Sequence, residues 1–195
     1  MAEIELPNPQ ELKERAEQSF SRRVALVTAI YAVMLAIASL GGNNAMKEML
    51  LAQQQSSDQW AFYQAKVIRE HLYRAQRLNL EVALAEPGAL KGAERQKLEA
   101  LAKKFGDEEK RYNAEKKDIE KDAKKLEHER DRNRDKDPYF DYAEVLLQIG
   151  IVTASVSILA TSRPMFFFSV VMALLGAVLT ANGFTLWFRL PFLHH

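Results

Sequence analysis

Two stretches carry side chains whose types and spacing could do chemistry. The first is REHLYRAQ, in which His71 follows Glu70. A helical zinc hydrolase needs a second histidine four residues on, so that both imidazoles share one helix face. Ala75 stands there instead. His71 therefore reads as a packed or interhelical hydrogen-bonding residue, and His128, between Glu127 and Glu129, as part of a solvated charged face. No phosphate-cradling glycine loop and no nucleophile elbow occurs. With no cysteine in the chain, thiolate catalysis, disulfides and cysteine-ligated metals are excluded. The expectation is a protein that is not an enzyme and has no metal site or cofactor.

The second stretch is the polar block that begins at Asn43 and continues as QQQSSDQ. Asn43, Gln53 and Ser57 lie on a seam that starts further back with Ala29, Ala32, Ala36 and Ser39. If several subunits packed along this seam, amide and hydroxyl groups would ring a central axis and line a hydrated passage. The same residues would equally serve to set register and subunit number, as polar seam residues do at some cost in stability. Both readings stay open at this point.

The elements that would position these groups follow from where charge is absent. The 195 residues include 27 basic and 26 acidic side chains, a balance without bulk attraction to nucleic acid or acidic lipid. Mean hydropathy is -0.26, but it averages two populations. Val24 to Met46, Val145 to Ser162 and Pro164 to Phe188 contain no charged residue, whereas Lys47 to Glu144 is densely charged. Runs near the ~20 residues that span hydrocarbon predict three transmembrane helices. The first is too long for a signal peptide and is expected to be a retained anchor. Ahead of it, PNPQEL offers Asn8 as a cap and Pro9 at the first helical position, and opens a weakly amphipathic arm over residues 1–23.

At Gly41–Gly42 the question is whether the helix stops. Each glycine costs roughly 1 kcal/mol relative to alanine inside a helix, proline about 3. Helix formers flank the pair and the seam keeps its register across it, so the helix is expected to continue from the span at 24–42 into water. AEPGALKG, with Pro87 and Gly88, is the stop signal. Beyond it Leu98, Leu101, Phe105, Tyr112, Ile119 and Leu126 share a seam, with Glu108, Glu115 and Asp122 at the intervening positions. A second helix is predicted from about Lys91 to Asp135, on the order of 65 Å long, against on the order of 60 Å for Ala45 to Ala85. Equal arms give an extramembrane antiparallel helical, coiled-coil-like hairpin over 43–137 with its turn at 86–90. Asp137 before Pro138 reads as a fresh helix start, and Tyr139, Phe140 and Tyr142 suit the headgroup region. Spans at 138–162 and 164–190 then form a tight hairpin whose small and polar stripes, including Gly150, Ser157, Gly176 and Thr180, pack together or against another subunit.

The run SRRVALVTAIYAVMLAIASLGGNNAMKEMLLAQQQSSDQWAFYQAKVIREHLY and the paired C-terminal spans resemble a family of bacterial integral membrane proteins, catalogued as domain of unknown function four-three-three-seven. The resemblance implies a multi-pass protein of the bacterial inner (cell) membrane without an assigned activity, and carries over no catalytic residue. The order of span, helical excursion and two further spans is also similar to the ExbB and TolQ type of proton-channel subunit. It departs from that type in the very short connection between the last two spans.

The fold class expected is all-α, with three transmembrane helices and the long hairpin. Its partners are the lipid bilayer and other copies of itself in a homo-oligomer, with an unknown protein at the hairpin tip as a further candidate and no nucleic acid. Two functions fit: a structural, interaction or sensing role for a rigid stalk, or an ion-conducting oligomer with its pore along the first-helix seam. Orientation is left open. Lys13, Arg15, Arg22 and Arg23 favour a cytoplasmic N-terminus, whereas Lys124, Lys125, Arg130, Arg132, Arg134 and Lys136 favour a cytoplasmic stalk.

Overall fold

The computed structural model describes residues 9–86 and 92–190. They form three helices, α1 (Pro9–Ala85), α2 (Ala93–Leu159) and α3 (Arg163–Thr185), and no strand occurs among the described residues. The cap expected at Asn8 and most of the expected turn, from Pro87 onward, lie outside the described residues. Each helix contains a window long and apolar enough to cross a membrane. Two compact units divide the chain: Met1–Glu48 with Arg132–His195, and Met49–Asp131.

α1 passes Gly41 and Gly42 without a break. α2 departs from expectation, because it runs straight through Pro138 to Leu159 instead of ending near Asp135 and restarting. Proline removes one i to i−4 bond and crowds the preceding turn. Here the residues that follow it hold the path: Tyr139 and Phe140 are both buried. Both thus face the other helices, and of that aromatic cluster Tyr142 alone is exposed.

In the first unit, parts of all three helices share a core of Val24, Tyr31 and Ala38 with Ala143, Leu147, Ala154 and Ala173. The close approaches occur where side chains are smallest. A Cβ added at Gly150 would lie 3.2 Å from the Ser169 carbonyl oxygen, and one at Gly176 2.8 Å from Leu147 Cγ. Phe140 fills a socket formed by glycines on two other helices. A Cβ at Gly41 would lie 2.7 Å from its Cζ, one at Gly42 3.1 Å from its Cβ, and one at Gly183 2.8 Å from its Cζ. Phe184 closes the socket edge-on, its ring centroid 5.0 Å away.

Large apolar side chains point outward instead. Leu26, Ile30, Val33, Ile37 and Leu40 are exposed on α1, and Val152, Leu159, Phe167, Val171 and Leu174 on α2 and α3. Hydroxyls along these segments bond back to their own helices: Thr28 donates to the Val24 carbonyl at 2.8 Å, Ser157 to Ala154 at 2.7 Å and Thr180 to Gly176 at 2.8 Å. These three hydroxyls are thus satisfied without help from a neighbouring helix.

Two ends are tied off locally. Between α2 and α3, Ser162 N–H donates to the Ser157 carbonyl at 3.0 Å, with Thr161 left-handed at φ 47°. This is a Schellman-type stop that ordinarily uses glycine. After α3, Asn182 is buried; its amide donates to the Phe188 carbonyl at 2.8 Å, and its side-chain oxygen accepts from Phe188 N–H at 3.0 Å. Tyr139 Oη donates to that same carbonyl at 3.1 Å and accepts from Leu190 N–H at 2.9 Å.

In the second unit, the buried and half-buried row on α1 is Ala52, Ser56, Gln59, Tyr63, Lys66, Glu70, Tyr73 and Arg77, at alternating steps of 4 and 3. Its contacts on α2 run in the opposite order along the chain. Trp60 Nε1 donates to Glu127 at 2.9 Å, Lys66 pairs with Glu115 at 2.6 Å, Tyr73 stacks on Tyr112 at 5.6 Å between centroids, and Arg77 pairs with Glu109 at 3.0 Å. The α2 seam also differs from expectation. Leu101 and Asp122 are exposed, whereas Ala102 and Ala123, one residue on, are buried. The expected Glu108 and Glu115 are half-buried, as are their neighbours Glu109 and Lys116, so the departure is confined to the positions of Leu101 and Asp122.

The socket sets two expectations. Gly41→Ala or Gly183→Ala should destabilise the first unit by about 1–3 kcal/mol through overpacking. Phe140→Ala should cost about 3–5 kcal/mol through the cavity it leaves. Unfolding titrations in mixed detergent would measure both. Thr161→Gly should be stabilising, because glycine removes the strain of a β-branched residue at positive φ.

Candidate functional site

The residues expected on the first-helix seam lie one position away from the row that the chain itself buries. Val24, Tyr31, Ala38 and Ala45 are buried at steps of seven, whereas Ala29, Ala32, Ala36 and Asn43 are exposed and Ser39 is half-buried. One residue is about 100° around a helix, so the small-residue seam looks away from the core. Gln53 and Ser57, in the second unit, are also exposed. Gln53 accepts a hydrogen bond from Arg130 at 3.0 Å. The Asn43 amide turns back on its own helix and donates to the Ser39 carbonyl at 2.8 Å. The stripe residues Gly150, Ser157, Gly176 and Thr180 are all buried, with Gly150 against α3 and Gly176 against α2.

Ser39 and Asn43 border a cleft of about 270 Å³ in the first unit, together with Gly42, Met46, Asp137, Asp141 and Glu144. The three acids share one face of α2. Burial and the neighbouring Asp141 push the Asp137 carboxyl above its usual range. A second cleft, of about 410 Å³, has Arg23 and Arg163 beside Phe20, Phe166 and Phe167, and the Phe20 and Phe166 rings meet edge-on at 6.0 Å. Among the described residues no three histidine, cysteine or acidic side chains are grouped to hold a metal ion.

The second unit contains one cluster that the sequence did not reveal. Glu70 is 6 % exposed, yet it is an ionisable side chain paired across to α2. Lys116 Nζ lies 2.5 Å from its Oε2, and the Asn113 amide donates to its Oε1 at 2.8 Å. Burial pushes the Glu70 carboxyl up, but the hydrogen bonds and charge of Lys116 and the Asn113 amide outweigh it, and it lies below the usual carboxylate range. His71, next to it, is exposed. The polarity of this trio is structural. It places a charged layer between the tyrosine stack and the alanine-rich layers, where a shifted pairing would leave Glu70 unpaired.

One family model, described as domain of unknown function (DUF4337), matches residues 20–186, which take in most of α1 and all of α2 and α3. The chain belongs to this family. No curated protein and no solved structure matches it. The DUF4337 match begins at Phe20 and ends at Leu186, so it takes in the glycine socket, the Glu70 cluster and Asn182, while the Phe188 backbone that Asn182 holds lies just beyond it.

Reading the sequence missed Phe140, Glu70 and Asn182 as organising residues. A signal existed for the first, since Gly41, Gly42 and Gly183 leave open backbone that a large side chain from another helix can fill. For Glu70 it lay in the spacing, four residues after Lys66 and three before Tyr73 on the buried row.

Because the folded Glu70 carboxyl is depressed relative to about 4.3 in an unfolded chain, its contribution is complete above that pH. It is lost as pH falls below about 4 and through the folded value. Acid unfolding of the intact protein, followed by helical circular dichroism, should show this loss, and Glu70→Gln should remove it. Glu70→Ala should cost on the order of 3 kcal/mol at neutral pH, because Lys116 then loses its partner.

Proposed function

We propose that this DUF4337 protein is a non-enzymatic integral membrane homo-oligomer, multi-pass in the cell membrane, with a structural, interaction or sensing role. In this reading its charged middle third forms an antiparallel helical hairpin outside the bilayer. The observation that carries it is the inverted distribution of side chains in the first unit. Most bulky apolar residues face outward on all three helices, while alanine, glycine and hydroxyl residues meet inside around a few large ones, Val24, Tyr31, Tyr139, Phe140 and Leu147. Water would disfavour that exposed surface at ~25 cal/mol per Å². Lipid accepts it, and in lipid, helices associate through close packing of small residues. The opposite order of contacts between α1 and α2 in the second unit supports the hairpin, whose tip would be the place for a protein partner. Alkaline carbonate washing of membranes tests the anchoring. The chain should stay with the pellet, and its release into the supernatant would refute the proposal.

An ion-conducting oligomer is the second reading, favoured by one observation. Ser39 and Asn43 share a cleft with Asp137, Asp141 and Glu144 at the end of an apolar segment, and ionisable groups at such depth commonly mark ion paths. Reconstituted vesicles separate the two readings. The structural role expects no ion flux above empty vesicles. If flux occurs, Asn43→Leu should block it, and flux indifferent to that change would remove this cleft from the path.

A further inference from the structure

Most charges of α1 in the second unit are engaged on one side, Asp58 and Arg69 being exposed. Lys66, Glu70, Arg74 and Arg77 all pair with α2, and Glu81 pairs with Arg77. The opposite side of the same helix carries a row at alternating steps of 4 and 3 from Leu50 to Val82 without a single formal charge. Its apolar members are Leu50, Ala61, Ile68, Ala75, Leu78 and Val82, every one exposed. Ile68 is 68 % exposed and Val82 73 %. Between them stand Gln54, Ser57, Gln64 and His71, also exposed. The outward face of α2 is the reverse: Lys103, Lys104, Lys117, Lys121 and Lys125 are exposed there, as befits a surface in water.

We infer that this row is a docking face for a second copy of the same chain, packed parallel and in register as a coiled coil. The inference rests on the membrane-anchored reading above, because copies leaving one bilayer must run in the same direction. Charge decides the occupant. In a parallel, in-register pair each seam residue meets its own copy, so any charged position would repel itself. A different partner imposes no such restriction, since an opposite charge on it could satisfy each position. Neutrality sustained from Leu50 to Val82 is what self-association requires.

The polar layers fit the same arrangement. A glutamine amide and a neutral imidazole each carry a donor and an acceptor, so Gln64 and His71 can each hydrogen-bond to their own copies. Flanking positions do not oppose it: Trp60 would lie near Ala65, and Val67 near Leu72, of the other copy. The row extends over more than the three to four heptads that a coiled coil needs, on the order of 50 Å. Polar layers weaken such a seam, and confinement of anchored copies to one membrane raises their effective concentration and offsets the loss.

The absence of native cysteines allows a direct test in the full chain. Ser57→Cys, Gln64→Cys and Ala75→Cys are made singly, beside Lys104→Cys and Lys121→Cys on the outer face of α2. Each is oxidised mildly in native membrane vesicles. Self-facing positions bring Cβ atoms within disulfide reach, so the three seam variants should form linked dimers about tenfold faster than the two controls. Adding Ile68→Asp to the Gln64→Cys chain should slow its linking. Equal linking at all positions, none at the seam, or capture of an unlike protein there would overturn the inference. The double variant Ser56→Cys with Ala123→Cys reports within one chain, because Ser56 Oγ lies 3.5 Å from the Ala123 carbonyl. Its intrachain disulfide with no seam dimer would refute the docking face and leave the hairpin intact. Its absence would refute the hairpin.

Discussion

The first unit is organised by a size constraint: the ring of Phe140 occupies space that exists because Gly41, Gly42 and Gly183 have no side chains. Lipid provides no hydrophobic drive for one apolar helix to find another, so association there depends on how closely backbones can approach. A phenyl ring seated against glycines on two helices gives many dispersion contacts in one place. It also explains how α2 keeps its course past Pro138, because the residues directly after the proline are held by their neighbours. Tyr139 then secures the segment after α3 through the Phe188 carbonyl and the Leu190 N–H. Loss of a backbone bond at one residue is thus answered by tertiary contacts at the next two.

The second unit solves a different problem with the same helices. Its interface has few large aliphatic residues. Alanines at Ala52, Ala102 and Ala123 permit close approach, Tyr73 and Tyr112 supply stacked area, and ion pairs fill the remaining layers. Most of these pairs are partly exposed, and each contributes little to stability. Glu70 is the exception. Its buried carboxylate tolerates only the register that presents Lys116 and Asn113, so its contribution is to specificity more than to stability. Directing most charge to this interface leaves the row from Leu50 to Val82 on the far side of α1 neutral.

Hydroxyl and small residues have distinct parts in the apolar segments. The stripe of Gly150, Ser157, Gly176 and Thr180 reads in the sequence as small and polar residues packed together or against another subunit. In the structure the Ser157 and Thr180 hydroxyls are satisfied by carbonyls of their own turns. What they contribute is small volume with no unsatisfied group, the combination that permits close packing where water is absent.

Long uncharged runs and seams at heptad spacing were legible in the sequence, because segment hydropathy and helix periodicity are local properties. They predicted three helices able to span a bilayer, continuation of α1 through Gly41–Gly42, and the residues Leu98, Phe105, Tyr112, Ile119 and Leu126 on one side of α2. Which of two neighbouring rows is buried was not legible. Leu101 and Ala102 differ by one residue and about 100°, and only contact with α1 selects Ala102. The same ambiguity separates Ala29, Ala32 and Ala36 from the buried Val24, Tyr31 and Ala38. Pro138 was misread as a boundary because the local cost of proline is visible in sequence, whereas the packing of Tyr139 and Phe140 that offsets it comes from residues on other helices. Periodicity determined by itself that there are seams; tertiary structure decided which seam faces inward, because burial depends on a partner that local sequence does not contain.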